Sequence, residues 1–128
     1  LLLLMMTKHE EWVERRRHLA RRYQEALGEW VDVPEEGPEE FHVFHTFIIQ
    51  ADRRDELQQH LQDHGVEALV HYPIILPDQV AAGGLNCQPG DFPVARRLAD
   101  RILSLPLYPE LEEEQQDRVI ELVQEFCP

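Results

Sequence analysis

The strongest constraint on the fold lies in residues 41–49, which read FHVFHTFII. Aromatic and β-branched side chains dominate this segment, and these residue types favour β-strands. Apolar side chains fall on both faces of the predicted strand, so other elements have to cover both faces. A chain with this strand is expected to fold as a sheet with helices packed against it.

A long helix is predicted before this strand, from about Lys8 to Leu27. Thr7 and Glu10 form a T-x-x-E capping box at its start, and Gly28 supplies a stop at its end. The helical spacing of apolar residues predicts a buried face made of Trp12, Leu19, Ala20, Tyr23 and Leu27. Residues 28–40 are rich in proline, glycine and paired glutamates, so they are predicted to form a connecting loop.

After the strand, the pattern predicts a helix over residues 53–64 and a short second strand over residues 66–70. Asp52 is expected to cap this helix, and Gly65 is expected to end it. Residues 71–91 contain several prolines and glycines and are predicted to form a long loop, a kind of segment that often carries function.

Two more helices and a third strand are predicted in the last part of the chain. Asp91 is expected to cap the first of these helices, whose apolar side would consist of Val94, Ala95, Leu98, Ile102 and Leu103, with Pro93 near its first turn. A strand over residues 104–108 is bent by Pro106, which places it at a sheet edge. The last helix begins near Leu111, and its core-facing residues are Val119, Ile120, Leu122, Val123 and Phe126.

The order of these elements predicts the α/β (α+β) class, with a small three-stranded sheet flanked by about four helices. A length of 128 residues fits a single domain. Within it, an N-terminal helix region (residues 1–27) and a linker loop (residues 28–40) precede a β-α-β-loop-α-β-α core (residues 41–128).

The formal net charge of −13 argues against a nucleic-acid partner, because phosphate binding relies on lysine and arginine over a wide surface. The one basic run, Arg15-Arg16-Arg17 with Arg21 and Arg22, lies among the glutamates at positions 10, 11, 14 and 25 of the first helix. Pairing between positions i and i+4 is expected to neutralise this run on a solvated helix face. Arg16 falls inside the apolar arc, where its guanidinium is expected to reach a carboxylate or carbonyl.

Residues 1–6 are apolar, but the segment is too short for a membrane span and lacks the features of a signal peptide. Cys87 and Cys127 make neither a disulfide framework nor a zinc ligand set, so a reducing cytoplasm is expected. The chain begins with Leu rather than Met, which suggests a fragment or a processed start.

The histidines offer two pairs for a metal hypothesis. His42 and His45 point to opposite faces of a strand, whereas His60 and His64 lie one helical turn apart. The second pair lacks the glutamate of the H-E-x-x-H pattern, because Leu61 stands in its place. Either a metal site or exposed helix histidines fit this spacing.

The sequence offers few candidates for the nucleophile of a covalent mechanism. Ser104 is the only serine and lies in an apolar strand without the exposed turn that presents a nucleophile. Cys87 and His71 could form a nucleophile and base, or Cys87 could be an ordinary loop cysteine. Lys8 is the only lysine and sits among polar residues at a helix start, so an imine-forming lysine in a pocket is absent from the sequence.

Several segments, read in order, resemble the C-terminal part of the DegT/DnrJ/StrS family of sugar aminotransferases. Residues 15–27 resemble the family's R-R-x-x-A-x-x-Y-x-x-x-L helix, and residues 41–47 resemble its H-V-Y-H strand. Residues 54–66 match the R-D-x-L-x-x-x-L-x-x-x-G-I stretch, and His71-Tyr72-Pro73 matches the H-Y-P motif. Residues 91–95 then lead into residues 103–109, which resemble L-S-L-P-x-x-P.

The resemblance implies the small domain of a fold-type-I transferase that uses pyridoxal phosphate. In such enzymes the large domain carries the Schiff-base lysine and most cofactor contacts, so no cofactor is expected in this chain. The resemblance places His71, Tyr72 and Pro73 on the substrate side; alternatively, Pro73 makes a stiff turn in which both rings simply pack. Ile75 and Pro77 depart from the family's H-Y-P-x-P-x-H pattern, in which a second proline and a histidine stand at these places.

Three hypotheses about function follow. The first is an aminotransferase small domain, inactive alone, that helps to close over a nucleotide-linked keto sugar with an amino acid such as glutamate as donor. The second is an interaction module in which residues 1–6 and a sheet surface form a homodimer or bind another protein. The third is a binder of a small ligand or metal that uses His71 and the loop up to Asp91.

Overall fold

The computed structural model describes residues 2–84, 87–88 and 90–127. Its helices and strands, in chain order, are α1 (Leu2–Met6), α2 (His9–Leu27), β1 (Phe47–Gln50), α3 (Arg54–Asp63), α4 (Pro93–Arg101), β2 (Ile102–Leu105) and α5 (Glu113–Phe126). Two short 3-10 turns, Leu76–Asp78 and Val80–Ala82, lie between α3 and α4. The mixed α/β class is confirmed. Among the described residues, no helix has the length and hydropathy needed to span a bilayer.

The sheet has two antiparallel strands rather than the predicted three. Phe47 of β1 pairs with Leu105 of β2, and Ile49 pairs with Leu103; all four side chains are buried. Residues 66–70 do not form a strand but contribute one isolated bridge, between Leu69 and Ser104. The β2 strand therefore has β1 on one side and this bridge on the other, so its predicted edge position is wrong.

The β1 strand is shorter than the predicted segment 41–49 because polar contacts draw residues 41–46 out of the sheet. Phe44 adopts a positive φ of 46°, and its backbone N–H donates to His42 Nδ1 at 2.8 Å. Arg17 donates to the carbonyl oxygen of His42 at 2.6 Å. Backbone groups bound in this way do not pair with a neighbouring strand.

Similarly, β2 starts earlier and ends earlier than residues 104–108. Pro106 lies just after the strand, where it removes no ladder hydrogen bond. The carbonyl oxygen of Pro106 accepts a hydrogen bond from the hydroxyl of buried Tyr23 at 3.0 Å. Ile102 and Leu103, predicted on α4, belong to β2.

Three predicted N-terminal caps are wrong, because each helix has another residue at its N-cap. The predicted N-cap position of Thr7 is wrong, since α2 begins at His9 with Lys8 as its N-cap, and Lys8 makes no side-chain cap hydrogen bond. Asp52 pairs with Arg101 at 3.0 Å instead of capping α3. The Asp91 carboxylate accepts a hydrogen bond from the backbone N–H of Gln88. The N-cap of α4 is Phe92, which has a left-handed backbone conformation.

A capping box does form at α5. The Glu112 side chain accepts from the N3 backbone N–H, and the side chain of Gln115 accepts from the Glu112 backbone N–H. The predicted helix is thus confirmed, and it begins at Glu113, two residues after the predicted start near Leu111.

The core is built where α2 and α3 pack on α5, with the sheet against them. Tyr23 of α2 and Phe47 of β1 are fully buried, with ring centroids 4.9 Å apart. Of the predicted core residues of α5, Val119, Leu122 and Val123 are buried, and Ile120 and Phe126 are partly buried. On α2, Trp12 is only half-buried and its neighbour Val13 is buried.

The predicted apolar side of α4 is mostly not part of the core. Ala99 is its only buried residue, and Val94 is exposed. Ala95 and Leu98 are half-buried.

The arginines of α2 pair with other elements, so the predicted i,i+4 pairing within the helix is wrong. Arg15 binds Glu113, Arg22 binds Asp117 and Arg17 binds Glu36. None of the ion pairs among the described residues joins two side chains of α2. These contacts fasten α2 to the start of α5 and to the loop before β1.

Gly65 ends α3 in the manner that the sequence predicts. Its φ is +79°, its N–H donates to the carbonyl of Gln62, and the N–H of Val66 donates to the carbonyl of Leu61. This is the Schellman arrangement, which needs a residue with a left-handed backbone.

We expect Gly65→Ala to lower the free energy of unfolding by about 1 kcal/mol, because a Cβ is strained at positive φ. Gly84→Ala is the matched control, since a Cβ there also meets open space and no left-handed φ is involved. Urea denaturation of both variants measures the difference in their stability. Equal midpoints for the two variants would contradict the Schellman arrangement at Gly65.

The contact between Glu36 and Arg17 should make the stability of the folded chain depend on pH. Arg17 donates to both of its carboxylate oxygens, at 2.7 and 2.8 Å, and this contact lowers the pKa of Glu36 from 4.5 to about 2. Because the folded-state pKa is depressed, the stabilisation is complete above pH 4.5 and is lost as the pH falls towards 2. In urea titrations, the stability difference between the wild type and Glu36→Gln should therefore shrink over that interval.

Glu35→Gln is the control, because Glu35 is exposed and forms no ion pair among the described residues. It should keep the wild-type dependence on pH. A wild-type advantage over Glu36→Gln that stays constant down to pH 2 would show that the Arg17 contact is absent in solution.

Candidate functional site

A groove of about 750 Å³ runs between residues 64–71, the end of β2 and the start of α5. Leu105, Leu107 and Leu111 give it an apolar floor that belongs to the core. His45, His71 and Arg118 are among the polar residues of its walls. A concave, mostly apolar surface with a few polar groups is typical of ligand sites.

His71 enters this groove from the end of the Leu69 bridge. Its Nδ1 lies 2.9 Å from Oγ of Ser104, a buried residue of β2. Two backbone hydrogen bonds join Leu69 and Ser104, so the segment that leads to His71 is held against the sheet. The peptide bond between His71 and Tyr72 is cis.

Tyr72 leaves the groove and points to solvent. Its side chain is 73% exposed, and its ring meets the His71 ring edge-on with centroids 5.6 Å apart. Packing in the core is therefore not the role of this tyrosine. Pro73 is exposed and borders a separate, smaller recess of about 380 Å³ that Arg96 also lines.

The structure thus spreads the three predicted site residues over neighbouring surfaces. His71 lines the large groove, Pro73 lines the smaller recess, and Tyr72 stands exposed between them. The residue that sequence reasoning missed is Ser104, which it considered only as a nucleophile. A lone polar side chain in an apolar strand was the signal that pointed to a buried hydrogen-bond partner.

The positions that depart from the family pattern lie in the turn after Pro73. Ile75 precedes the first 3-10 turn and Pro77 lies within it. Asp78 of the same turn forms an ion pair with Arg96 of α4. This pair ties the segment after the H-Y-P motif to α4.

The metal hypothesis gains no support from the described part of the chain, which holds no group of three or more suitable ligands. The His60 and His64 rings are in tilted contact with centroids 4.6 Å apart, and His64 Nδ1 donates to the carbonyl of His60 at 2.8 Å. His42 uses its Nδ1 to accept from a backbone N–H. His71 Nδ1 is bound to Ser104 Oγ.

A second recess, of about 510 Å³, lies at the other end of the sheet. Arg101 crosses it to Asp32 and Asp52, at 3.2 and 3.0 Å, and Cys127 borders it. Burial raises the pKa of the Cys127 thiol, which disfavours the thiolate. The charge of Arg101 in this recess is already paired with two carboxylates, so it offers less to a ligand than the groove does.

Comparison with known proteins matches residues 1–124 to the DegT/DnrJ/EryC1/StrS aminotransferase family. The pleiotropic regulatory protein of Geobacillus stearothermophilus is 41% identical over 121 residues, which are 91% of this chain and 32% of that protein. The dTDP-3-amino-3,4,6-trideoxy-alpha-D-glucose transaminase of Streptomyces venezuelae is 34% identical over 128 residues, which are 98% of this chain and 34% of that protein. This chain spans about a third of the length of the curated relatives that it matches.

Solved structures agree with the sequence comparison. A DegT DnrJ EryC1 StrS aminotransferase from Brucella abortus superposes with a TM-score of 0.92 at 36% identity, covering 98% of this chain and 34% of that chain. S. venezuelae DesV, in complex with a ketimine intermediate, superposes with a TM-score of 0.95 at 34% identity, with the same coverage. Because the sequence match and the superpositions both extend over nearly the whole chain, it belongs to the DegT/DnrJ/EryC1/StrS aminotransferase family.

Proposed function

We propose that this chain is the C-terminal small domain of a sugar aminotransferase and contributes one wall of its substrate site. The observation that carries the proposal is the superposition on DesV, a structure in complex with a ketimine intermediate, across 98% of this chain. In the complete enzyme, His71, Tyr72 and Pro73 would face a nucleotide-linked keto sugar, and an amino acid such as glutamate would be the donor.

The residues of this chain do not fit pyridoxal phosphate as a covalently held cofactor. That cofactor is bound by a lysine whose amine is activated by desolvation or by a nearby cation. Lys8 is the only lysine, and it is exposed at the N-terminus of α2. We therefore assign the cofactor lysine to another part of the complete enzyme and derive no chemical step from this chain alone.

The exposed apolar side chains after the groove support a role as part of a larger assembly. Val80 is fully exposed, and further large apolar side chains are exposed on the same segment and on α4, namely Tyr72, Ile74, Leu76, Phe92 and Val94. Exposed apolar groups on this scale favour contact with a partner surface. The sheet itself offers little apolar surface, because Ile48 and Ile102 are its only apolar residues that are not fully buried. We place the contact with the rest of the enzyme, or with a second chain, on the surface formed by these six side chains.

The first test is a chimera in which this chain replaces the matching third of the S. venezuelae transaminase. We expect the chimera to retain sugar transaminase activity, because the two folds superpose across this region. Tyr72→Ala in the chimera should lower kcat/KM by about tenfold if the exposed ring touches substrate. The stability of the isolated chain should stay within about 0.5 kcal/mol, since this ring is not part of the core.

Trp30→Ala is the matched control, because Trp30 is an exposed aromatic residue in the recess at the other end of the sheet. It should leave kcat/KM unchanged. A folded chimera without transaminase activity would contradict the proposed function, and equal effects of the two substitutions would contradict the role of Tyr72.

The second test adds pyridoxal phosphate to the isolated chain and records the visible absorption spectrum. We expect wild type and Lys8→Ala to give the same spectrum, because an exposed lysine does not hold the aldehyde stably. A Schiff-base band that is present in the wild type and lost in Lys8→Ala would show that this chain holds the cofactor itself.

A further inference from the structure

Ser104 occupies a position where a hydroxyl has to be satisfied inside the protein. Its side chain is 7% exposed, and its backbone pairs with Ile48 of β1 on one side. On the other side its N–H donates to the carbonyl of Leu69 at 2.8 Å, and its carbonyl accepts from the N–H of Leu69 at 3.2 Å. Both backbone groups are therefore occupied by neighbouring segments.

The surroundings of Ser104 decide which of the two side chains, Ser104 or His71, donates the hydrogen bond between them. Within the described part of the chain, the only partner of Ser104 Oγ is His71 Nδ1, at 2.9 Å. If His71 donated this bond, the hydroxyl proton would lack an acceptor at a buried site, which is costly. Ser104 therefore donates and His71 Nδ1 accepts, so a neutral His71 carries its proton on Nε2.

The ring geometry of histidine then determines which atom of His71 faces the groove. Nε2 lies across the ring from Nδ1 and faces away from Ser104 and the strand. His71 lines the groove, and Nε2 contacts no hydrogen-bond partner among the described residues. The N–H that the serine places on Nε2 is thus available to a ligand.

We propose that Ser104 is a positioning residue that holds His71 as the Nε2–H tautomer, with this N–H directed into the groove to bind an acceptor oxygen of the ligand. Hydroxyl, carbonyl and carboxylate oxygens share this chemistry, and a sugar or an amino acid offers one or more of them. The proposal rests on the proposed function only in identifying the ligand, because the tautomer is a property of this chain alone.

Long-range proton–nitrogen NMR of the ¹⁵N-labelled chain, at about pH 8.5 where imidazole is neutral, measures the tautomer directly. We expect the Nε2–H form to dominate at His71 in the wild type. Ser104→Ala should lower the ratio of Nε2–H to Nδ1–H by on the order of tenfold, the effect of one hydrogen bond. Ser104→Thr keeps the hydroxyl and should restore the wild-type ratio.

Two histidines of the same chain serve as internal references. His64 Nδ1 lies 2.8 Å from a carbonyl oxygen, which only accepts, so this ring should show the Nδ1–H form. His42 Nδ1 accepts from the N–H of Phe44, so this ring should show the Nε2–H form. Neither should change in the Ser104 variants.

A wild-type His71 with its proton on Nδ1, or an unchanged ratio in a folded Ser104→Ala, would overturn the proposal. Should Ser104→Ala fail to fold, the wild-type tautomer and the Ser104→Thr variant decide the question. In the active chimera, Ser104→Ala should raise KM more than it lowers kcat and should be non-additive with His71→Ala; additive effects would overturn the coupling. An inactive chimera would count against the proposed function and would leave the NMR result standing.

Discussion

The pairing of β1 with β2 is the interaction on which the rest of the structure depends. Two strands of four residues each are not stable alone in water, so they need cover and further hydrogen bonds. Buried Phe47 and Ile49 belong to the same apolar core as the buried residues of α2, α3 and α5. The bridges at Asp32 and Leu69 then extend the ladder on its two sides without adding full strands.

Side chains that bind backbone carbonyls hold β2 in place at both of its ends. Arg54 donates to the carbonyl of Ile102 at 2.9 Å, and Tyr23 donates to the carbonyl of Pro106. Burial raises the pKa of Tyr23, so its hydroxyl stays protonated and remains a donor. Gln116 of α5 binds α2 in the same way, because its side-chain amide donates to the carbonyl of Leu19 at 2.7 Å. Each of these three side chains thus satisfies its polar group by binding a backbone carbonyl of another element.

The candidate site follows from this arrangement. Ser104 lies on the strand whose ends are fixed, and it holds both Leu69 and His71. The His71 imidazole is therefore held against β2, whereas Tyr72 and Pro73 after it are exposed. A fixed polar group beside an exposed apolar segment suits a domain that meets both a ligand and another part of an enzyme.

The sequence predicted the elements whose signals are local. The signals for the helices α2, α3 and α5 and for the stop at Gly65 come from residues within a few positions of each other, and these predictions are confirmed. The caps assigned to Asp52 and Asp91 failed because a carboxylate near a helix start is equally able to bind a distant arginine or another backbone N–H. Residues 41–46 had strand-forming side chains, yet Arg17 and His42 bind their backbone and prevent pairing.

By itself, the sequence determined the class of fold, the likeness to aminotransferases and the H-Y-P motif, because all three are patterns along the chain. Only the tertiary structure decided which arginine meets which carboxylate, which segment pairs with β2, and that Ser104 is the partner of His71. Those contacts join residues far apart in the chain, and they exist only once the apolar faces of the helices have closed on the sheet. The spacing of two residues along the sequence does not tell how far apart they lie in the folded chain. The site therefore became visible only in the folded molecule.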